Sequence, residues 1–148
     1  YALEYADDSL KADREVVLAA VTSNGYAFKF AADELVADRE IVLAAVKSKG
    51  RALRYANEDL KADREVVLVA INSDYHALKN ADKSLKSKKD VVIAAIQLNG
   101  MALRYVDESL KSDREIILAA AKSNPKSLQY ADENLTNKLR EEGLLDNI

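Results

Sequence analysis

The stretch YALEYADDSLKADREVVLAAVTSNG, residues 1–25, is followed at once by YAFKFAADELVADREIVLAAVKSKG, residues 26–50. The two begin with Tyr-Ala, share Ala-Asp-Arg-Glu in the middle and a Val-Leu-Ala-Ala-Val run after it, and close on glycine. Further copies run through 51–75, 76–100 and 101–125, and a shortened, diverged copy occupies 126–148. Self-similarity at a fixed short period marks a stack of supersecondary units, none of which can bury its own apolar face alone.

Within a copy the second half is the clearer helix. Asp13 is placed to cap it, Arg14 and Glu15 fill its first turn, residues 16–21 are apolar, and Gly25 reads as its end. In two copies Ser87 with Asp90, and Ser112 with Glu115, fit a capping box that starts one position earlier. The apolar run covers most of the helix girth and so demands neighbours on several sides, while the recurring Ala20, Ala45, Ala70, Ala95 and Ala120 allow close backbone approach. The first half is a shorter helix in which Leu3, Ala6 and Leu10 share a stripe, Glu4 points away and Tyr5 lies on the border. These readings predict an all-α fold, an α-solenoid of six tandem helix-pair repeats of about 25 residues in a right-handed stack. The whole chain, 1–148, is expected to form one domain with residues 126–148 as its C-terminal cap. Glu141, Glu142 and Gly143 replace apolar residues there, and Leu144, Leu145 and Ile148 are expected to fold back as a clasp. No matching N-terminal cap is visible, which leaves Tyr1 and Leu3 at an open end.

Composition narrows the class. Of 148 residues 49% are apolar and 32% charged, with one proline and four glycines, which suits a soluble helix-rich protein rather than a disordered one. A net charge of −3 disfavours a generic nucleic-acid binder, which needs clustered cations on one face. There is no cysteine, hence no disulfide, thiolate nucleophile or cysteine-based zinc site, and no cofactor or metal is expected. Apolar runs such as Val16–Val21 are too short for a membrane span, and no signal segment is present. The stretch opens inside a repeat without an initiating Met, so it reads as a piece of a larger protein.

The repeat carried by Ala2-Leu3, Tyr5-Ala6, Leu10, Asp13-Arg14-Glu15, residues 16–21 and Gly25 resembles the tandem helical repeats of the domain of unknown function 4116 family. Only the tail departs broadly, with local differences at Tyr75, Asn80, Lys88 and Pro125. The resemblance implies a repeat fold embedded in larger proteins, and it implies no activity or catalytic residues.

The residues themselves point the same way. His76 is the single histidine, so no nucleophile, base and oxyanion site can be assembled around it. Acid pairs such as Asp7-Asp8, Asp33-Glu34 and Glu58-Asp59 recur with the repeat, as turn chemistry does and a catalytic dyad does not. The chain is therefore expected to be no enzyme. The Asp-Arg-Glu triplets are placed to form ion-pair ladders between neighbouring copies.

Positions at which the copies disagree are free of the core and so carry any specificity. One slot holds Tyr1, Tyr26, Arg51, His76, Met101 and Lys126, and another Glu4, Lys29, Arg54, Lys79, Arg104 and Gln129. Beside them runs the aromatic slot Tyr5, Phe30, Tyr55, Asn80, Tyr105 and Tyr130, and together these predict a basic and aromatic ridge. A border tyrosine also suits packing between copies with its hydroxyl in water. The fourth copy concentrates Lys79, Lys83, Lys86, Lys88 and Lys89 against Asp82 and Asp90, while the first has five acids against Lys11 and Arg14. Candidate partner-binding residues are thus Tyr26, Arg51, Arg54, Tyr55, Arg104 and Tyr105 on the ridge, with the five lysines as an alternative patch for RNA or acidic lipid. A protein-interaction or scaffolding module, monomeric or an end-to-end dimer, is the expected function.

Overall fold

The computed structural model describes residues 2–146 and 148; Tyr1, the first member of the variable slot, lies outside them. Among the described residues every regular element is helical. Each of the first five copies contributes one ten-residue α-helix: α1 (Arg14–Ser23), α2 (Arg39–Ser48), α3 (Arg64–Ser73), α4 (Lys89–Leu98) and α5 (Arg114–Ser123). Asp13, Asp38, Asp63 and Asp113 cap four of them, each accepting an N–H from the first turn. The capping-box alternative is not adopted. Asp113 holds the cap of α5, and the Ser87 hydroxyl donates instead to the Ser84 carbonyl at 2.9 Å. Beside Ser112 the aspartate one position closer already reaches the free amides, whereas Lys88 follows Ser87 and provides no side-chain cap.

The shorter partner of each predicted pair is a 3-10 helix: Ala2–Tyr5, Gly25–Phe30, Gly50–Tyr55, Tyr75–Asn80, Gly100–Tyr105 and Pro125–Tyr130. A further short turn, such as Asp8–Lys11 or Glu58–Lys61, then leads to the long helix. Six residues pinned at both ends leave little room for an α-helical ladder, and short segments take the tighter winding. Asn24, Asp74, Asn99 and Asn124 fix the start by accepting the N–H two residues on, and Ala31 N–H closes the end on the Phe28 carbonyl at 3.2 Å.

Gly25 does not end α1 as a left-handed cap. It has no positive φ, the extended Asn24 ends that helix, and Gly25 opens the next segment. Its smallness serves packing, since a Cβ there would lie 2.2 Å from the Ala45 carbonyl oxygen of the following copy. Gly50 against Ala70 and Gly100 against Ala120 repeat that 2.2 Å relation. At the same joints the glycine N–H donates to a serine hydroxyl of the next copy, Gly25 to Ser48, Gly50 to Ser73 and Gly100 to Ser123, at 3.0–3.1 Å.

The chain forms two compact units, Tyr1–Asp82 and Lys83–Ile148. In the first, α1, α2 and α3 pack in sequence, and Ala32, Asn57 and Asp82 N–H groups donate to the Lys11, Val36 and Lys61 carbonyls at 2.9–3.0 Å. That constant spacing along the chain shows each copy seated on the previous one in the same way. Phe28, Leu53 and Leu78 of the 3-10 layer and Val17, Val42, Val67 and Ile71 of the long helices are fully buried between them. The second unit repeats the scheme with α4 packed on α5, and with Asp107 and Asp132 N–H groups on the Lys86 and Lys111 carbonyls.

The last copy closes differently from the expected clasp. Lys138 stands where Asp13 and its equivalents cap, so no new helix starts there, and α6 (Glu133–Glu141) runs straight through that position from its cap at Asp132. Gly143, at φ 72°, ends it with the Leu144 N–H on the Leu139 carbonyl, the one left-handed glycine among the described residues. Leu139 is buried, but Leu144 and Ile148 stay exposed because the chain turns away after the glycine. Among the described residues no helix is long and apolar enough to cross a membrane.

Candidate functional site: two rows of cations

Cations recur in the repeats on two separate sets of positions, or tracks. The first comes from the residue after the helix cap. Arg14 Nε donates to Asp38 at 2.7 Å and its guanidinium also reaches Glu40. Arg39 does the same to Asp63 at 3.1 Å and to Glu65. In the second unit Lys89 lies 3.1 Å from Asp113 and 2.7 Å from Glu115, and Arg114 pairs with Glu142 of the closing segment. The predicted ladder is therefore present within each unit. Its electrostatics are mutual. The Arg14 guanidinium holds the Asp38 carboxyl below the usual carboxylate range, and the two carboxylates push the Arg14 pKa upward. Partial burial pushes the Asp63 carboxyl up, but the Val66 N–H and Arg39 outweigh it and leave Asp63 below its ordinary value.

The second track is the ridge. In a 3-10 helix residues three apart stand above one another, so the variable first and fourth residues of a copy share one outward line while Ala27 and Phe28, or Ala52 and Leu53, point into the core. Tyr26 and Lys29 are exposed, as are Arg51, Arg54, Lys79 and Arg104. Phe30, Tyr55, Tyr105 and Tyr130 are half-buried beside them, and only Tyr5, at 85% exposure, stands free of cover. The tyrosines thus pack along the border and still present a face. The cations rest on those faces: Lys29 over Phe30 at 5.3 Å, Arg54 over Tyr55 at 5.2 Å, and Arg104 over both Tyr105 at 5.1 Å and Tyr130 at 5.7 Å. Lys29, Arg54 and Arg104 make no carboxylate pair among the described residues. In the first unit a depression of about 240 Å³ beside Lys29 is lined by Glu4, Tyr26, Lys29, Phe30 and Tyr55.

Arg51, though on the ridge, is engaged. Its Nε donates to Asp74 at 2.7 Å, and its terminal nitrogen lies 2.8 Å from His76 Nδ1, which is itself 2.7 Å from Asp74. The His76 ring stacks on Tyr75 at 4.1 Å. Of the lysine-rich copy, Lys79 closes the first unit and Lys83, Lys86, Lys88 and Lys89 begin the second. Lys83 and Lys88 are exposed and Lys86 is half-buried, whereas Lys89 belongs to the ladder. Of the recurrent acid pairs, Asp7 acts at a turn, while in the third copy Asn57 rather than Glu58 or Asp59 takes that role. Asp7 and Asp107 accept first-turn N–H groups, and among the described residues no three His, Asp or Glu side chains gather as metal ligands do.

Sequence reading missed the residues that steady the ridge. These are Asn24, Asp74, Asn99 and Asn124, which cap its segments, and Ser48, Ser73 and Ser123, which hold the glycines. The signal was available as a serine in four of five copies followed by a middle position that is Asn or Asp in four, before Gly, Tyr or Pro, which reads most simply as a loop.

These features define a class, the all-helical tandem-repeat proteins, with packing slots that recur from copy to copy and variable surface slots within each unit. Within that class a family model described as Domain of unknown function (DUF4116) matches residues 1–36, 38–86 and 88–136, and the chain belongs to that family. No curated protein and no solved structure matches the chain.

Proposed function

We propose that this chain is a non-catalytic protein-interaction module that engages its partner along the ridge. The observation that supports it is the contrast in how the two tracks use their charge. The ladder cations Arg14, Arg39, Lys89 and Arg114 are closed on carboxylates, while Lys29, Arg54 and Arg104 lie over aromatic rings on exposed side chains with no carboxylate partner among the described residues. Rings and arginine presented together on a steadied segment are the composition of binding hot spots. Variation at these exposed slots suits a surface that differs between copies while the fold stays constant.

The experiment places a photo-crosslinking benzoylphenylalanine at position 55 or 105, with a control at Thr22 on the exposed surface of α1. Both ridge positions should capture the same protein from a native lysate, the control should not, and Arg54→Glu with Arg104→Glu should abolish capture. Capture that is equal at Thr22, or indifferent to the two charge reversals, defeats the reading.

A further inference from the structure

The first unit narrows the chemistry of that partner. Stacking engages the face of a guanidinium and leaves its in-plane N–H groups free, and those edges are what a carboxylate or phosphate binds, two oxygens at a time. Arg54, whose guanidinium lies over the Tyr55 ring at 5.2 Å and has no carboxylate partner among the described residues, is a donor of this kind, and Lys29 on Phe30 is a second, point-like one on the preceding copy. The depression lined by Tyr26, Phe30 and Tyr55 also has Lys29 and Glu4 in its wall, and Arg54 lies over the Tyr55 ring, so an aromatic seat has one cation in its lining and a second against one of its rings.

Two features separate a peptide from a polyanion. Glu4 occupies the same slot one copy earlier and forms part of the rim, so a ligand with uniform negative charge meets repulsion at the third position. The chain as a whole is at −3, which opposes the long-range attraction that nucleic-acid binding relies on. A mixed ligand, acidic at two points and apolar between them, satisfies the cations and the aromatic seat without confronting Glu4.

Geometry suggests its conformation. Stacked helical copies advance by about 8–10 Å. A polyproline II segment has three residues per turn and rises about 3.1 Å per residue, so its side chains at i and i+3 lie on one face about 9 Å apart. We infer that the surface formed by Lys29, Phe30, Arg54, Tyr55 and Tyr26 binds an extended acidic protein segment with carboxylates at i and i+3 and a bulky apolar residue between them. The inference rests on the ridge being the contact surface, and it assigns that surface a ligand class.

The test uses the full chain and a fluorescein-labelled peptide of Glu-Pro-Phe repeats, followed by fluorescence anisotropy. Its comparators are the Gln-Pro-Phe counterpart and oligouridylate. The acidic peptide should bind, the Gln version should bind at least about tenfold more weakly, and Arg54→Gln should weaken the acidic peptide by about tenfold or more, as expected for one charge-assisted bond. Tyr55→Ala should weaken both peptides, with circular dichroism confirming that each variant remains folded. Equal binding of the two peptides, still lost in Tyr55→Ala, overturns the acidic assignment and leaves the ridge as a contact surface. Binding untouched by Arg54→Gln and Tyr55→Ala overturns both. Tighter binding of oligouridylate than of the acidic peptide, or no binding of the acidic peptide at all, overturns the ligand class.

Discussion

Arg39 and Arg54 carry the same charge in the same unit and live in opposite surroundings. Arg39 reaches across a repeat joint to Asp63 and Glu65, and Asp63 is itself the cap of α3, so one carboxylate ties helix start and neighbour together. Arg54 turns outward from a 3-10 segment and lies on the ring of the next residue, Tyr55. The winding of the backbone makes the difference. An α-helix start collects acids at its positive end and offers them to the neighbouring copy, whereas the amides of the 3-10 segments are satisfied mostly by asparagines such as Asn24, with Asp74 the acidic exception that engages Arg51. Charge on the first track joins copies, and on the second Lys29, Arg54 and Arg104 keep theirs without a carboxylate partner among the described residues.

The largest break in that comparison comes from the joint on which both tracks depend. A Cβ at Gly50 would meet the Ala70 carbonyl oxygen at 2.2 Å and the Asp74 backbone nitrogen at 2.9 Å, neither of which can give way as a flexible side chain would. Gly50→Val should therefore lower the stability of the chain by at least about 3 kcal/mol, read from the urea midpoint, and should disturb ladder and ridge alike. A midpoint like that of the parent protein would mean that copies do not need this close approach, and the explanation of the closing glycines would fall with it.

Next in size is the double role of Asp63. Asp63→Ala removes the bond from the Val66 N–H and the acceptor of Arg39, and should cost about 1–2 kcal/mol, while Asp63→Asn keeps a capping oxygen and should cost less. Acid should act on the same groups. The folded pKa values of Asp38 and Asp63 are depressed below the ordinary 3.8, so their contribution is complete above that value and is lost as pH falls through the folded values. The urea midpoint should hold steady from neutrality to about pH 5 and decline below about pH 4, and the decline should be shallower in Asp63→Asn. An equal decline in that variant would separate the caps from the acid response.

How much of this could be read in the chain depends on whether the cause was local. The period, the helical class, the buried Leu53, Val67 and Ile71 and the aspartate caps all follow from patterns within one copy, and all are present. The role of Gly50 was not legible, because its reason is a carbonyl twenty residues later and its φ gives no local sign. Its companion was visible only in hindsight: where Tyr75 replaces the glycine, Leu98 replaces the serine that elsewhere receives the glycine N–H. The tail was read as polar at the correct place, yet α6 depended on the missing cap at Lys138 rather than on the glutamates. Even Ser127, buried where other copies have alanine and without a partner for its hydroxyl, marks that copy as divergent in its core as well as its surface. As for the ridge, its slots were plain from their variability, but slot counting also put Lys89 level with Arg14 and Arg39, a stronger signal than its nearness to other lysines.

The smallest effects divide the two tracks most cleanly. Arg39→Ala should give a slight loss of stability at low salt that fades near 1 M NaCl, because an exposed ion pair is screened at that ionic strength. Arg54→Ala removes no carboxylate contact, only the cover on Tyr55, so its midpoint should match the parent at every salt concentration. The two variants differ in opposite senses in a binding assay, where Arg54→Ala should fail and Arg39→Ala should behave as the parent does. A salt-dependent loss of stability in Arg54→Ala would place that guanidinium among the joining charges, and the distinction between the tracks would then be one of degree.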